Sequence, residues 1–163
     1  MKTLEIQTQA RTELVDITAR VQAAVVELGM KAGAVTVFVP HTTAGVTINE
    51  NADPDVVTDI KAVLEKIIPL NGHYRHDEGN STAHIKAGLM GSSVRVLVEN
   101  GRLQLGTWQA IYFCEFDGPR TRLAWIGSSL RGPLLGSALI YHLAIYHQKD
   151  WLLTCLAGRQ RPL

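Results

Sequence analysis

The chain has 163 residues, 46% of them hydrophobic and 19% charged, which is the size and make-up of one globular domain. A formal net charge of +1 argues against a general nucleic-acid binder, because such binding rests on many uncompensated Lys and Arg. The two cysteines, Cys114 and Cys155, form no Cys-x-x-Cys pair, which rules out a Cys-rich zinc site and speaks against a disulfide scaffold.

The opening MKTLEIQTQA alternates apolar and polar residues and lacks the apolar core of a signal peptide, so the expected compartment is the cytoplasm. Residues 4–15 read as a strand. Asp16-Ile17-Thr18 offers N-capping side chains, Val21, Ala24, Val25 and Leu28 follow at helical spacing, and Gly29 is placed to end that helix. Residues 35–40, VTVFVP, read as a strand that ends at Pro40, and 45–48 as a second short one. Asp53-Pro54 predicts a helix start. Val56, Ile60, Val63, Leu64 and Ile67 give it an apolar face, and Pro69 closes it. The following polar segment reads as a loop with one helical turn around His84–Leu89. Residues 93–99 read as a strand, Asn100-Gly101 as a hairpin turn, and the return strand as a single element from Arg102 towards Phe116, bent near Gly106. Two helices among at least six strands predict an α+β fold.

Three stretches can carry chemistry. In HTTAGVTINE, His41 lies just past an apolar strand, and Asn49 and Glu50 follow the next one. Taken alone, a satisfied histidine in a polar turn is the plainer reading. The segment HDEGNSTAHIKAGLMG holds His76, Asp77, Glu78 and His84, with His73 nearby. These donors suit zinc or a similar divalent metal, although a spacing of eight matches no helical ligand pair, and a solvated acidic loop is the rival. In GTWQAIYFCEFDGPRTR, alternation puts Trp108, Ala110, Tyr112, Cys114 and Phe116 on one strand face and Gln109, Ile111, Phe113 and Glu115 on the other. Arg120 and Arg122 after the Asp117-Gly118-Pro119 turn can clamp a phosphate, with a plain surface turn as the alternative. Cys114, among aromatics, reads as a core residue rather than a nucleophile.

HTTAGVTINENADPDV, YRHDEGNSTAHIKAGLMGSS and GRLQLGTWQAIYFCEFDGPR, in this order, closely resemble the YjbQ-like family, also described as secondary thiamine-phosphate synthases. The resemblance covers about residues 3–122. It implies a β-sandwich flanked by helices, a homotrimer, and a divalent metal, zinc above others, on His41, His76 and His84. It also implies transfer of an aminopyrimidine-methyl group from its diphosphate to a thiazole phosphate. On that reading the metal, Lys86 and Arg120 stabilise the leaving diphosphate, and Glu50 or Glu115 orients the pyrimidine amine or moves a proton. Asn49, Asn80, Ser81 and Gln109 contact the substrate.

The resemblance fades after Arg122. LAWIGSS keeps only a trace of the expected final strand, so the domain is read as residues 1–127, with 128–163 as an atypical extension. The apolar run at 134–146 is too short to span a bilayer, which takes roughly 20 residues. An extra helix, an insertion at a trimer contact or a membrane surface, and a tail foreign to the family through a reading-frame change are the readings for this part. The expected partner is a small phosphorylated metabolite, with no nucleic acid and no membrane span. The alternative to an enzyme is a trimeric, metal-containing protein that binds such a metabolite without turnover. A purely structural metal at a trimer interface is the third reading.

Overall fold

The structure, a computed structural model, describes residues 1–129. The expectations placed on 130–163 lie outside the described residues. The strands are β1 (Lys2–Gln7), β2 (Glu13–Asp16), β3 (Ala32–Phe38), β4 (Ala44–Glu50), β5 (Ser93–Glu99), β6 (Arg102–Gln104), β7 (Gln109–Glu115) and β8 (Thr121–Ser129). The helices are α1 (Thr18–Glu27), α2 (Pro54–Ile67) and α3 (Ser81–Met90). A five-stranded sheet in the order β1-β8-β3-β5-β6 faces a three-stranded sheet, β2-β7-β4, and all pairings are antiparallel. The α+β expectation holds.

The main core lies between the sheets. Val35 and Val37 of β3, Val96 and Val98 of β5 and Ile126 of β8 meet Val46 of β4 and Ile111 and Phe113 of β7. The other face of β7 carries Ala110, Tyr112 and Cys114, which with Phe116 pack against Leu64 and Ile68 at the end of α2 and Ala83 and Ala87 of α3. The alternation read along residues 108–116 therefore separates two cores. Burial pushes the Cys114 thiol up to about 12, so it is inert at neutral pH, as a core thiol should be.

Several elements differ from the sequence reading. Residues 4–15 split into β1 and β2, which belong to opposite sheets, because the chain crosses over between Gln7 and Glu13. The return strand also splits: β6 pairs with β5, then the chain crosses at Leu105–Trp108 and β7 joins the small sheet. In α2 the packed residues are Val57, Ile60, Leu64 and Ile68, while Val63 and Ile67 of the predicted face point outward. The single turn near His84 is a helix of 10 residues. β8, expected as a trace, is a strand of 9 residues held between β1 and β3, with Ala124 and Ile126 in the core.

Other signals read as expected. Asp53 accepts a hydrogen bond from the Asp55 N–H at the start of α2. The β5–β6 hairpin turns at Asn100 and Gly101, with φ of 52° and 76°. No helix among the described residues is long and apolar enough to cross a membrane.

Candidate functional site

Three connections meet at one end of the small sheet. They are the β3–β4 loop with His41, Thr42 and Thr43, the start of α3 with Glu78, Asn80 and His84, and the β7–β8 turn with Asp117 and Arg120. Together with Arg122 of β8 they line a polar cavity of about 330 Å³, suited to a small molecule.

Its floor rests on a buried ion pair. Glu115 is fully buried, and Arg122 donates to it twice, from Nε to Oε2 at 2.7 Å and from Nη2 to Oε1 at 2.6 Å. Oε1 also accepts from the Phe116 and Asp117 N–H groups at 3.0 and 2.9 Å, and the Thr8 hydroxyl lies 3.2 Å from Oε2. Burial alone raises the Glu115 pKa. Arg122, the Asp117 N–H and the Thr8 hydroxyl outweigh it, so the carboxyl sits below its ordinary range. Arg122 Nη2 also donates to Thr43 Oγ1 at 2.8 Å, which ties the β3–β4 loop to this pair.

Above the floor the groups are freer. Arg120 pairs with Asp117 at 3.0 Å, and its side chain is 49% exposed. Asn80 donates from Nδ2 to the same Asp117 carboxylate at 3.2 Å, while its Oδ1 is buried with no partner among the described residues. Ser81 Oγ is likewise buried and unpartnered. Two orphaned polar atoms at the head of one helix call for ligand or solvent atoms. His41 accepts the Leu123 N–H at Nε2, 2.9 Å away, which fixes the ring and leaves Nδ1 without a hydrogen bond among the described residues. Burial, then the Arg122 charge, lowers the His41 pKa, with Glu115 pulling the other way. A second cavity of about 440 Å³ adjoins through His84, and Tyr74, His76 and Ile85 are among its lining.

The structure gathers part of the expected set. His41, His84, Asn80 and Arg120 line the polar cavity, and His76 and Ser81 line its neighbour. Lys86 does not line either cavity. It is buried on the underside of α3, with Nζ 2.5 Å from Glu65 Oε2 of α2. Glu115 is enclosed beneath the cavity and cannot serve as a free base.

Asn49, Glu50 and Gln109 are elsewhere. The β4–β7 register pairs Ala44 with Glu115 at the cavity end and Glu50 with Gln109 at the other end. Six strand steps of roughly 3.3 Å separate those ends by about 20 Å. There Asn49 Oδ1 accepts from the Glu50 N–H and Gln109 Oε1 accepts from the Gly106 N–H, both at 2.8 Å. Sequence reasoning assigned no role to Thr42, Thr43 or Asp117, all of which line the cavity. The turn at Asp117 was legible, but its pairing with both Asn80 and Arg120 was not.

The three histidines do not converge on one point. His76 and His84 meet edge-on with ring centroids 5.4 Å apart, His76 Nε2 lies 3.6 Å from Glu78 Oε2, and His41 Nε2 is engaged by Leu123. Among the described residues no three His, Cys, Asp or Glu side chains gather so as to hold a metal. As arranged, this set does not fit the single ion that the resemblance implies.

Fold and site together define a helix-flanked β-sandwich with a polar pocket at one end. A family model described as UPF0047 protein YjbQ-like matches residues 2–129, and the chain belongs to this family. The protein YugU of Bacillus subtilis is 54% identical over 127 residues, which is 77% of this chain and 96% of that one. YjbQ of Salmonella typhimurium is 41% identical over 101 residues, covering 58% and 73% of the two chains. A crystal structure of a YjbQ/UPF0047 family protein from Clostridium acetobutylicum superposes with a TM-score of 0.78 at 53% identity, covering 79% of this chain and all of that one.

Proposed function

We propose that the polar cavity binds a small phosphorylated metabolite and that the reaction is the one the resemblance implies. That reaction transfers an aminopyrimidine-methyl group from its diphosphate to a thiazole phosphate. The observation that supports it is Arg120, half-exposed at the cavity beside His41 and His84 and, among the described residues, ion-paired with Asp117. In such a transfer the bond from the pyrimidine methylene to the diphosphate oxygen breaks. The thiazole nitrogen takes the methylene, and inorganic diphosphate leaves. Arg120 can turn from Asp117 to the leaving oxygens, and the imidazoles can donate to them where negative charge develops. Asn80 Oδ1, which lacks a donor, can accept from a pyrimidine amine. A homotrimer and a cytoplasmic location belong to the same proposal.

Calorimetry with inorganic diphosphate tests the binding part. The wild type should bind it, and Arg120→Ala should bind about ten-fold or more weakly, the worth of a charge-assisted hydrogen bond. Failure of the wild type to bind would remove the proposal.

A second reading, binding without turnover, is favoured by one observation: both carboxylates expected to assist the chemistry, Glu50 and Glu115, are outside the cavity. Release of diphosphate on mixing the two substrates separates the readings.

A further inference from the structure

The adjoining cavity differs in character from the polar one. Tyr74, His76, His84 and Ile85 give its walls rings and aliphatic surface, and Arg75 and Ser81 complete the lining. Tyr74 is held firmly. Its hydroxyl donates to the Pro69 carbonyl at 2.9 Å, and its N–H donates to the Gly72 carbonyl at 3.0 Å. Its ring lies so close over Gly72 that a Cβ there would stand 2.7 Å from two ring carbons. His84 stands edge-on to His76 and lines both cavities. Ile85 is 43% exposed although it is a large apolar residue.

We propose that this cavity is the ring compartment of a two-part site. It takes a flat, nitrogen-bearing aromatic ring between Tyr74 and Ile85, while the attached anion reaches Arg120 next door. The inference rests on the reading that the polar cavity binds phosphate. Three observations carry it. A pinned aromatic wall costs little ordering on binding and offers edge or offset contact to a ring. Ser81 Oγ is buried without a partner, so a ring nitrogen or amine that hydrogen-bonds there satisfies an atom now left wanting. The two cavities share His84, so a ligand filling both carries its ring-to-phosphate linkage past that imidazole.

The test compares inorganic diphosphate with an aminopyrimidine-methyl diphosphate by calorimetry on the full chain. In the wild type the ring-bearing compound should bind at least ten-fold more tightly. In Ile85→Ser and in Gly72→Ala, which pushes the Tyr74 ring off its seat, that ratio should fall towards one while the affinity for inorganic diphosphate stays unchanged. Circular dichroism verifies that each variant is folded. A wild-type ratio of one, or a ratio unchanged in both variants, overturns the ring compartment and leaves the phosphate reading intact. Absence of inorganic diphosphate binding in the wild type overturns the phosphate reading itself.

Discussion

Arg122 and Glu115 form a two-point ion pair inside the sandwich, at 2.7 and 2.6 Å, with both side chains buried. The pair joins β8 of the large sheet to the end of β7 in the small one, directly beneath the candidate site. Arg122→Met leaves the carboxylate buried without its counter-charge, a change that typically costs about 3–5 kcal/mol. Urea unfolding at pH 7 should show a loss of that order, and the double variant Glu115→Leu/Arg122→Met should recover most of it.

The same pair sets a pH dependence. The folded pKa of Glu115 lies below the ordinary 4.5, so the stability it contributes is present above the unfolded value and lost as pH falls through the folded one. In Arg122→Met the guanidinium no longer offsets burial, the folded pKa rises, and the sign reverses. The stability gap between wild type and variant should therefore shrink as the pH is lowered from 7 towards 4. A constant gap across that range would refute this account.

His41 should titrate below 6.5, because burial and then Arg122 disfavour its charged form more strongly than Glu115 favours it. A base depressed on folding contributes stability above its unfolded pKa and loses it as the pH falls through the folded value. An NMR titration of the ring protons gives the midpoint directly, and a value above 6.5 would contradict the geometry around Leu123 and Arg122.

Lys86 is a packing residue of the α2–α3 contact. Lys86→Met keeps the buried stem and removes the charge, so its stability should change little. Glu65→Ala strands the buried ammonium and should cost roughly 1–3 kcal/mol. Neither should alter diphosphate affinity; a ten-fold weakening in Lys86→Met would return this lysine to the anion site.

Gly45 is where α3 docks on β4. A Cβ there would lie 2.7 Å from the Gly91 carbonyl oxygen, which already accepts the Val46 N–H at 3.0 Å, and 3.1 Å from Met90 Cβ. Gly45→Ala should cost about 1–3 kcal/mol by overpacking. It should also weaken diphosphate binding, since displacing α3 moves Asn80 and His84. Melting temperature and calorimetry measured on one preparation separate the two effects.

Elemental analysis tests the histidine set. With the rings as arranged, purified protein offered zinc should retain well under one equivalent per chain. One equivalent, lost in His84→Ala, would mean that the three imidazoles turn to converge.

The sequence by itself determined the local elements. The β5–β6 hairpin follows from Asn100-Gly101, the start of α2 from Asp53-Pro54, and the two-faced β7 from strict alternation, because each depends on neighbours within a few residues. The family motifs also marked His41, Asn80, His84 and Arg120, which do share a cavity. α3 is longer than its sequence suggests, because its buried face is Thr82, Ala83, Lys86 and Ala87, which carries little apolar signal. Only the tertiary structure decided which sheet each strand joins, since pairing depends on distant partners and a crossover leaves no periodic trace at Thr8 or Gly106. It also decided the roles of the charged residues. Lys86 and Glu115 look like Arg120 in a sequence, but burial beside Glu65 and Arg122 makes them structural, while the β4–β7 register carries Glu50 and Gln109 to the far end.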